Sequence, residues 1–274
     1  MPVVPLVPLV CLALACGWDA GILLADDRRL RRLSGRAYRS GLGWLDIEML
    51  NRWRRGYPVP VVAAAGLLAA ALLGQPAGSA VGALACGAVI LWVAREGRFT
   101  HTRFAPLCLA LLAAALLLDQ LARLSGAVPP HGGALLASFC AAQLYLVAGL
   151  RKLRSPQFLS GRVVLDNLAY GAAQAAAGSR DYLPVLPPRS LAALVRDTRL
   201  HRGCRIAAIA ATLAELVLGL GAIGLLPRLP ILILAVLSHL GFLLMSPVRI
   251  MPFAIAGVGL LVLATTHPLL AGIQ

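Results

Sequence analysis

The sequence predicts an all-α integral membrane protein, a single domain over residues 1–274 that forms a bundle of about eight transmembrane helices. Of the 274 residues, 59% are hydrophobic and only 13% are charged, and the mean hydropathy is +0.83. Apolar runs recur along the chain at roughly the 20 residues that a helix needs to cross a bilayer. This composition is typical of membrane spans and excludes an ordinary soluble domain.

The first span is expected at residues 5–25. The first basic residue is Arg28, so this run lacks the positively charged start of a signal peptide, and we expect it to be retained. Pro58 and Pro76 mark the starts of the next two spans. Small residues, as in "AAAGLLAAALLG", allow such helices to pack closely. The second to fifth spans are expected at residues 58–75, 78–94, 104–122 and 133–151.

Three closely spaced spans end the chain, and Pro227 and Pro247 separate them because proline interrupts a helix. Before them, residues 162–177 are interpreted as an interfacial or re-entrant helix after span five. This segment is short and carries Asp166 and Asn167, so we do not count it as a span. If it crossed the bilayer, the orientation of everything after it would reverse. The last three spans are expected at residues 205–226, 229–246 and 251–267.

Basic residues fall almost entirely on one face of this arrangement. The chain has 25 of them, 24 arginines and one lysine, and a net charge of +14. With eight spans, 23 lie in connections on one face and two on the other. By the positive-inside rule the arginine-rich face is cytoplasmic, in the inner or plasma membrane of the cell. No nucleic-acid-binding motif accompanies the charge, so the expected partner is the lipid bilayer and not nucleic acid.

Ionisable residues inside or beside the spans are costly there and need a partner or a purpose. Asp19 and Asp119 lie near helix ends, where solvation or pairing with arginine explains them. Glu215 fits either a structural pair with an arginine or a role in tuning a histidine. His101 and His239 fit either structural positions or chemical ones. The histidines lack metal-ligand spacing and the six cysteines form no CxxC pair, so we expect no metal site.

Lys152 is the one lysine of the chain, in "LYLVAGLRKLRSPQF" at the end of an apolar run. A codon bias towards arginine explains the other 24 basic residues, and would have placed arginine here if a permanent charge were sufficient. Arginine cannot release its proton in a protein, whereas a buried lysine can. A neutral amine in an apolar pocket is a competent general base. The alternative, which stays open, is an interfacial anchor.

The stretch "LYLVAGLRKL", followed by "SG", resembles the HTTM (horizontally transferred transmembrane) domain, the membrane domain of vitamin K-dependent gamma-carboxylases. Further segments fit in the same order: "GWDAGILLADDRRLRRL" with Asp19, "THTRF" with His101, "TLAELVLGL" with Glu215, and "LSHLGFLLMSPVRIMPF" with His239. The resemblance covers nearly the whole chain. The residues that match the lysine motif are Tyr145, Ala148, Gly149, Leu150, Arg151, Lys152, Leu153 and Gly161.

The resemblance implies an oxygenase that needs neither metal nor flavin and uses O2 as co-substrate. In the carboxylases a lysine that matches Lys152 deprotonates a hydroquinone, the anion adds O2, and the adduct collapses to an epoxide. No cofactor is therefore expected. The expected catalytic residues are Lys152, His101, His239 and Glu215. The expected substrate-binding residues are Tyr145, Arg151 and Phe158, with Phe158 in place of a family tryptophan.

The chain departs from the carboxylases in two respects. They continue into a large luminal domain that helps handle the glutamyl peptide, whereas this sequence stops at Gln274, so we expect no appended soluble domain and no carboxylation. Their lysine faces the lumen, whereas this one is predicted to face the cytoplasm. We therefore expect epoxidation of a small biosynthetic hydroquinone, with oxidation of a membrane quinol as a close variant.

Two other functions stay open. One HTTM protein helps a bacterial peptide toxin to mature, and an accessory protein for toxin maturation or export would need an outward-facing site. A non-catalytic membrane partner, such as an immunity protein, would use Lys152 only as an anchor.

Overall fold

The chain folds into helices throughout the part that the computed structural model describes, in agreement with the predicted all-α class. It divides into two compact units, Met1–Pro130 and His131–Gln274. The single domain over residues 1–274 stays a prediction. The described residues are 3–32, 58–74, 76–95, 101–126, 133–179, 181–183, 185 and 197–266.

The first unit contains helices α1 (Val3–Arg32), α2 (Pro58–Leu72), α3 (Ala77–Arg95) and α4 (His101–Leu124). Helix α1 packs on α2 and α4, and α3 packs on both α2 and α4. Small residues bring these helices close together, since a methyl group at Gly82 would lie 2.8 Å from the side chain of Leu117.

The second unit contains the remaining described helices: α5 (Gly133–Leu153), α6 (Pro156–Leu159), α7 (Arg162–Ala176), α8 (Thr198–Ala222), α9 (Arg228–Met245) and α10 (Met251–Thr266), with a short 3-10 helix (Val248–Ile250) before α10. Helix α8 packs on α5, α7 and α9, while α10 packs on α5 and α9.

Four helices among the described residues are long and apolar enough to cross a bilayer, and they indicate a membrane protein. Their outward-facing side chains include large apolar ones, such as Ile206, which is 62% exposed. Helix α7 has only 15 residues, fewer than a bilayer crossing requires. The total of eight spans, and the interfacial or re-entrant role of α7, stay predictions. The four helices are Phe104–Leu124, Thr198–Ala222, Arg228–Met245 and Val248–Thr265, and shorter apolar helices cover Leu6–Ile22, Val59–Leu72 and Ala77–Val93.

Two helices extend beyond the apolar runs that predicted them. Helix α1 continues to Arg32, past the expected end at residue 25, because arginine and leucine are good helix formers even outside the bilayer. Helix α8 begins at Thr198, ahead of the expected start at residue 205. The carboxylate of Asp197 caps it by accepting hydrogen bonds from the backbone nitrogens of Arg199 (2.9 Å) and Leu200 (3.3 Å).

Helices α5 and α8 cross at two glycines. A methyl group at Gly149 would lie 2.9 Å from the side chain of Leu216, and one at Gly219 would overlap the side chain of Leu146 and lie 3.1 Å from its backbone nitrogen. The two backbones therefore approach closely, as small residues permit.

Gly219→Ala is expected to destabilise the protein by about 1 to 3 kcal/mol, because the added methyl overpacks this crossing. The matched control is Gly203→Ala on the same helix, where nothing lies within 4 Å of the new methyl group. The control should be neutral or slightly stabilising, since alanine favours a helix over glycine. Thermal unfolding in one detergent measures both variants, and equal midpoints would contradict the close crossing.

Candidate functional site

Helix α5 carries two polar side chains on one face. Tyr145 and Lys152 are seven residues apart, which is about two helical turns. Tyr145 is buried at 4% exposure within the apolar stretch. Lys152 lies in the last turn of the helix, with 21% of its side chain exposed. One helix face thus presents a phenol inside the unit and an amine at its edge.

The amine of Lys152 is paired with a buried carboxylate. Its Nζ donates a short hydrogen bond to Oε1 of Glu215, and the two groups form an ion pair. The crossing of α5 and α8 causes this pairing, because Lys152 lies one turn beyond Gly149 and Glu215 one turn before Gly219. Of the two roles left open for Glu215, the structural ion pair is formed, with Lys152 as the partner in place of an arginine. The lysine, in turn, is not an isolated amine in an apolar pocket.

Glu215 keeps an unused acceptor. The residue is 5% exposed, and its second oxygen, Oε2, is buried without a hydrogen-bond partner among the described residues. A buried acceptor of this kind is costly to leave unsatisfied. It gives the site a position that a hydroxyl donor of a bound molecule can satisfy.

Tyr145 and His239 form a second polar pair. The hydroxyl of Tyr145 and Nε2 of His239, which is 5% exposed, share a hydrogen bond of 2.9 Å. Phe253 packs its ring edge-on against the imidazole, with centroids 5.9 Å apart. A methyl group at Gly257 would lie 2.9 Å from the tyrosine oxygen and 3.0 Å from Nε2. Glycine at this position of α10 therefore leaves room for the pair.

Phe242 joins the two pairs. Its ring centroid lies 4.5 Å from Nζ of Lys152 and 6.3 Å from the ring centroid of His239. The ring centroid of Phe158, on α6, lies 5.1 Å from the same Nζ atom. The Ser155 hydroxyl accepts a hydrogen bond from the Phe158 backbone nitrogen and fixes this short helix. Contacts of a cation with aromatic faces stabilise a charged amine. Aromatic surface thus lies beside both the amine of Lys152 and the imidazole of His239.

The structure thus brings together most of the residues predicted for the site, and we call Lys152, Glu215, Tyr145 and His239 the polar cluster. Phe158 adjoins it. Arg151 does not: it is exposed and makes no ion pair or hydrogen bond with other described residues.

The remaining candidates belong to the first unit. Asp19 on α1 and Asp119 on α4 are half-buried there. His101 begins α4, and its side chain lies outside the described residues, so its predicted catalytic role stays a prediction.

Three residues of the site were missed by sequence reasoning: Phe242, Phe253 and Gly257. The spacing of three residues between His239 and Phe242 places both on one helix face, and this signal could have found Phe242. Phe253 and Gly257 come from α10 and carry no local signal, because only the packing of α10 brings them to the histidine.

No group of three His, Cys, Asp or Glu residues within the described ranges is placed to hold a metal ion. No protein-family model, curated protein or solved structure matches the chain. The function is therefore inferred from the polar cluster and its aromatic neighbours.

Proposed function

We propose that this protein oxidises a small hydroquinone with O2 to an epoxyquinone, without metal or flavin and without carboxylation. One observation carries the proposal: the Lys152–Glu215 pair and the Tyr145–His239 pair meet at Phe242 inside an apolar helix unit. An amine, a carboxylate, a phenol and an imidazole can all move protons, and aromatic rings suit a flat aromatic substrate.

Lys152 is the proposed base. Its amine is charged in the ion pair, and Glu215 can take the proton that the ammonium must lose before it can act as a base. In surroundings of low polarity, charges are expensive, so an ammonium–carboxylate pair can pass one proton across to become an amine and a carboxylic acid. The neutral amine then accepts the phenolic proton of the hydroquinone. Before this transfer, the unused Oε2 of Glu215 can accept a hydrogen bond from the same hydroxyl group and so hold the substrate beside the amine.

Tyr145 and His239 are proposed to hold the second oxygen of the substrate. Their hydrogen bond fixes both side chains, so either one can offer a donor at a defined position without reorganising. The aromatic rings of Phe158 and Phe242 cover the amine and limit its contact with water, which helps to protect a reactive peroxide from hydrolysis.

The reaction balances without another reagent. The hydroquinone anion donates electrons to O2 and a C–O bond forms. The O–O bond then breaks as one oxygen atom closes the epoxide and the other leaves as hydroxide. Both phenolic protons end on that oxygen, so one hydroquinone and one O2 give one epoxyquinone and one water.

The proposed substrate is small and intracellular because the arginine distribution predicts a cytoplasmic face for the lysine end of α5. Cysteine substituted at position 152 should accordingly react with membrane-permeant but not impermeant thiol reagents applied outside intact cells. Labelling from outside would favour the alternative role in peptide-toxin maturation or export.

The decisive experiment incubates the purified protein with a panel of substituted hydroquinones and 18O2. We expect a product with one oxygen atom more and two hydrogen atoms fewer than the hydroquinone, with the added oxygen labelled from O2. Boiled protein corrects for spontaneous oxidation, which gives the quinone and no epoxide. If the folded protein forms no labelled epoxide with any member of the panel, the proposal fails.

A further inference from the structure

A groove of about 460 Å³ lies between the start of α7 and the start of α8, and its lining includes no residue of the polar cluster. It combines polar and charged side chains with short apolar ones. Its lining includes Ser160, Arg162, Leu165, Asp166, Ala169 and His201.

The floor of this groove is fixed by a close backbone contact. Gly161 joins α6 to α7 with a φ of +82°, a conformation that favours glycine. A methyl group there would overlap the backbone nitrogen of Arg205 and lie 2.6 Å from the carbonyl carbon of Cys204. The turn before α7 therefore rests directly on the backbone of α8, and the groove is part of the fold.

Helix α8 is longer than the hydrocarbon core of a bilayer. Its 25 residues extend over about 37 Å, against a core of about 30 Å. The polar first turns carry the exposed Arg199, Arg202 and Arg205, and lie at the level of lipid headgroups when the apolar remainder crosses the core.

An exposed apolar stripe continues from these arginines along α8. Ile206, Ile209 and Leu213 recur at helical spacing and are 62%, 39% and 55% exposed. Positive charge at the helix start and an apolar stripe beyond it match the two ends of one molecule, an anionic headgroup and its acyl chain.

We propose that this groove binds the headgroup phosphate of an anionic phospholipid, with Arg162 from the lining beside the phosphate, the exposed Arg205 reaching it from the backbone that rests on Gly161, and an acyl chain along the stripe of α8. Basic pockets at the ends of membrane helices bind anionic lipids in this manner. A soluble anion would need the arginines but not the adjoining apolar stripe. The arginine-rich face is also the one predicted to be cytoplasmic, where anionic lipids are abundant.

Substitution of Asp166 should change lipid affinity in the opposite direction to substitution of an arginine. Its carboxylate lines the groove and lies 3.9 Å from Nε of Arg162, and both side chains are well exposed. It opposes an anionic ligand, so its removal should strengthen binding while removal of an arginine weakens it.

The experiment measures binding of phosphatidylglycerol and phosphatidylcholine to the purified full chain by native mass spectrometry from detergent. We expect phosphatidylglycerol to bind more tightly. Arg162→Gln and Arg205→Gln should each weaken its binding about fivefold, and Asp166→Asn should strengthen it about two- to fivefold. Arg228→Gln, a change of equal charge at the exposed start of α9, should have no effect.

Three results would overturn the proposal. Equal affinity for the two lipids would show that charge is not recognised. Equal effects of the groove variants and of Arg228→Gln would place the lipid elsewhere. Displacement of phosphatidylglycerol by an equimolar amount of inorganic phosphate would assign the groove to a soluble anion.

Discussion

Glu215→Leu is expected to lower the free energy of unfolding by about 2 to 4 kcal/mol. The substitution leaves the amine of Lys152 without its carboxylate at a site where only 21% of the lysine side chain is exposed. Removing both partners costs less, because no buried charge is then left unpaired. The double variant Lys152→Met with Glu215→Leu should therefore recover at least half of the loss. Unfolding by steric trapping in micelles, for both single variants and the double one, gives the coupling energy.

The control for this cycle is the pair Arg162–Asp166 on α7. Its atoms lie 3.9 Å apart, and the two side chains are 76% and 69% exposed. Such a pair is screened by water, so the cycle Arg162→Gln with Asp166→Asn should give a coupling energy below about 1 kcal/mol. Additive effects at Lys152 and Glu215, equal to those of this exposed pair, would contradict a buried interaction.

The positions of the helices followed from the sequence because apolar runs report where a chain can lie in lipid. The ends of the helices could not be predicted in this way, and α8 is an example. Its first eight residues include three arginines and a histidine, yet Asp197 caps them into the same helix. Hydropathy measures the bilayer boundary, whereas helix length depends on backbone hydrogen bonds and caps.

The members of the polar cluster could be found from sequence, but their pairing could not. Lys152, Glu215 and His239 are conspicuous because ionisable groups are rare and costly inside a membrane. Which of them meet depends on how α5 and α8 rotate about Gly149 and Gly219, and no local pattern encodes that rotation. The lysine consequently acquires a carboxylate partner where the sequence argument expected a lone amine.

The aromatic part of the site was harder to predict for a different reason. A phenylalanine on an apolar helix has an ordinary explanation in packing, so the spacing that places Phe242 on the face of His239 gains a functional meaning only because its ring contacts both the amine and the imidazole. The sequence therefore predicts the groups that carry charge, and the fold determines the surface on which a substrate would lie.

Lys152→Arg is expected to reduce turnover of the hydroquinone by about 100- to 10,000-fold, the contribution of a positioned general base. The guanidinium can still pair with Glu215, and arginine–carboxylate pairs are strong, so the protein should remain folded. It cannot, however, release a proton to become a base. The variant thus separates the two readings of this residue, because an interfacial anchor needs only the charge. Epoxide formation and thermal unfolding of the same preparation measure both properties.

Arg151→Lys is the matched control, since it exchanges the same two residue types one position earlier, on an exposed side chain outside the polar cluster. This variant should retain full turnover, although Arg151 was expected from the resemblance to bind substrate. If Lys152→Arg keeps more than about a tenth of the turnover, proton release at position 152 is not required and the lysine acts as an anchor. If the two variants lose activity equally, the chemistry depends on the charge pattern at the end of α5. Only a selective loss at position 152 supports a base, because only there does the amine have a buried carboxylate to take its proton.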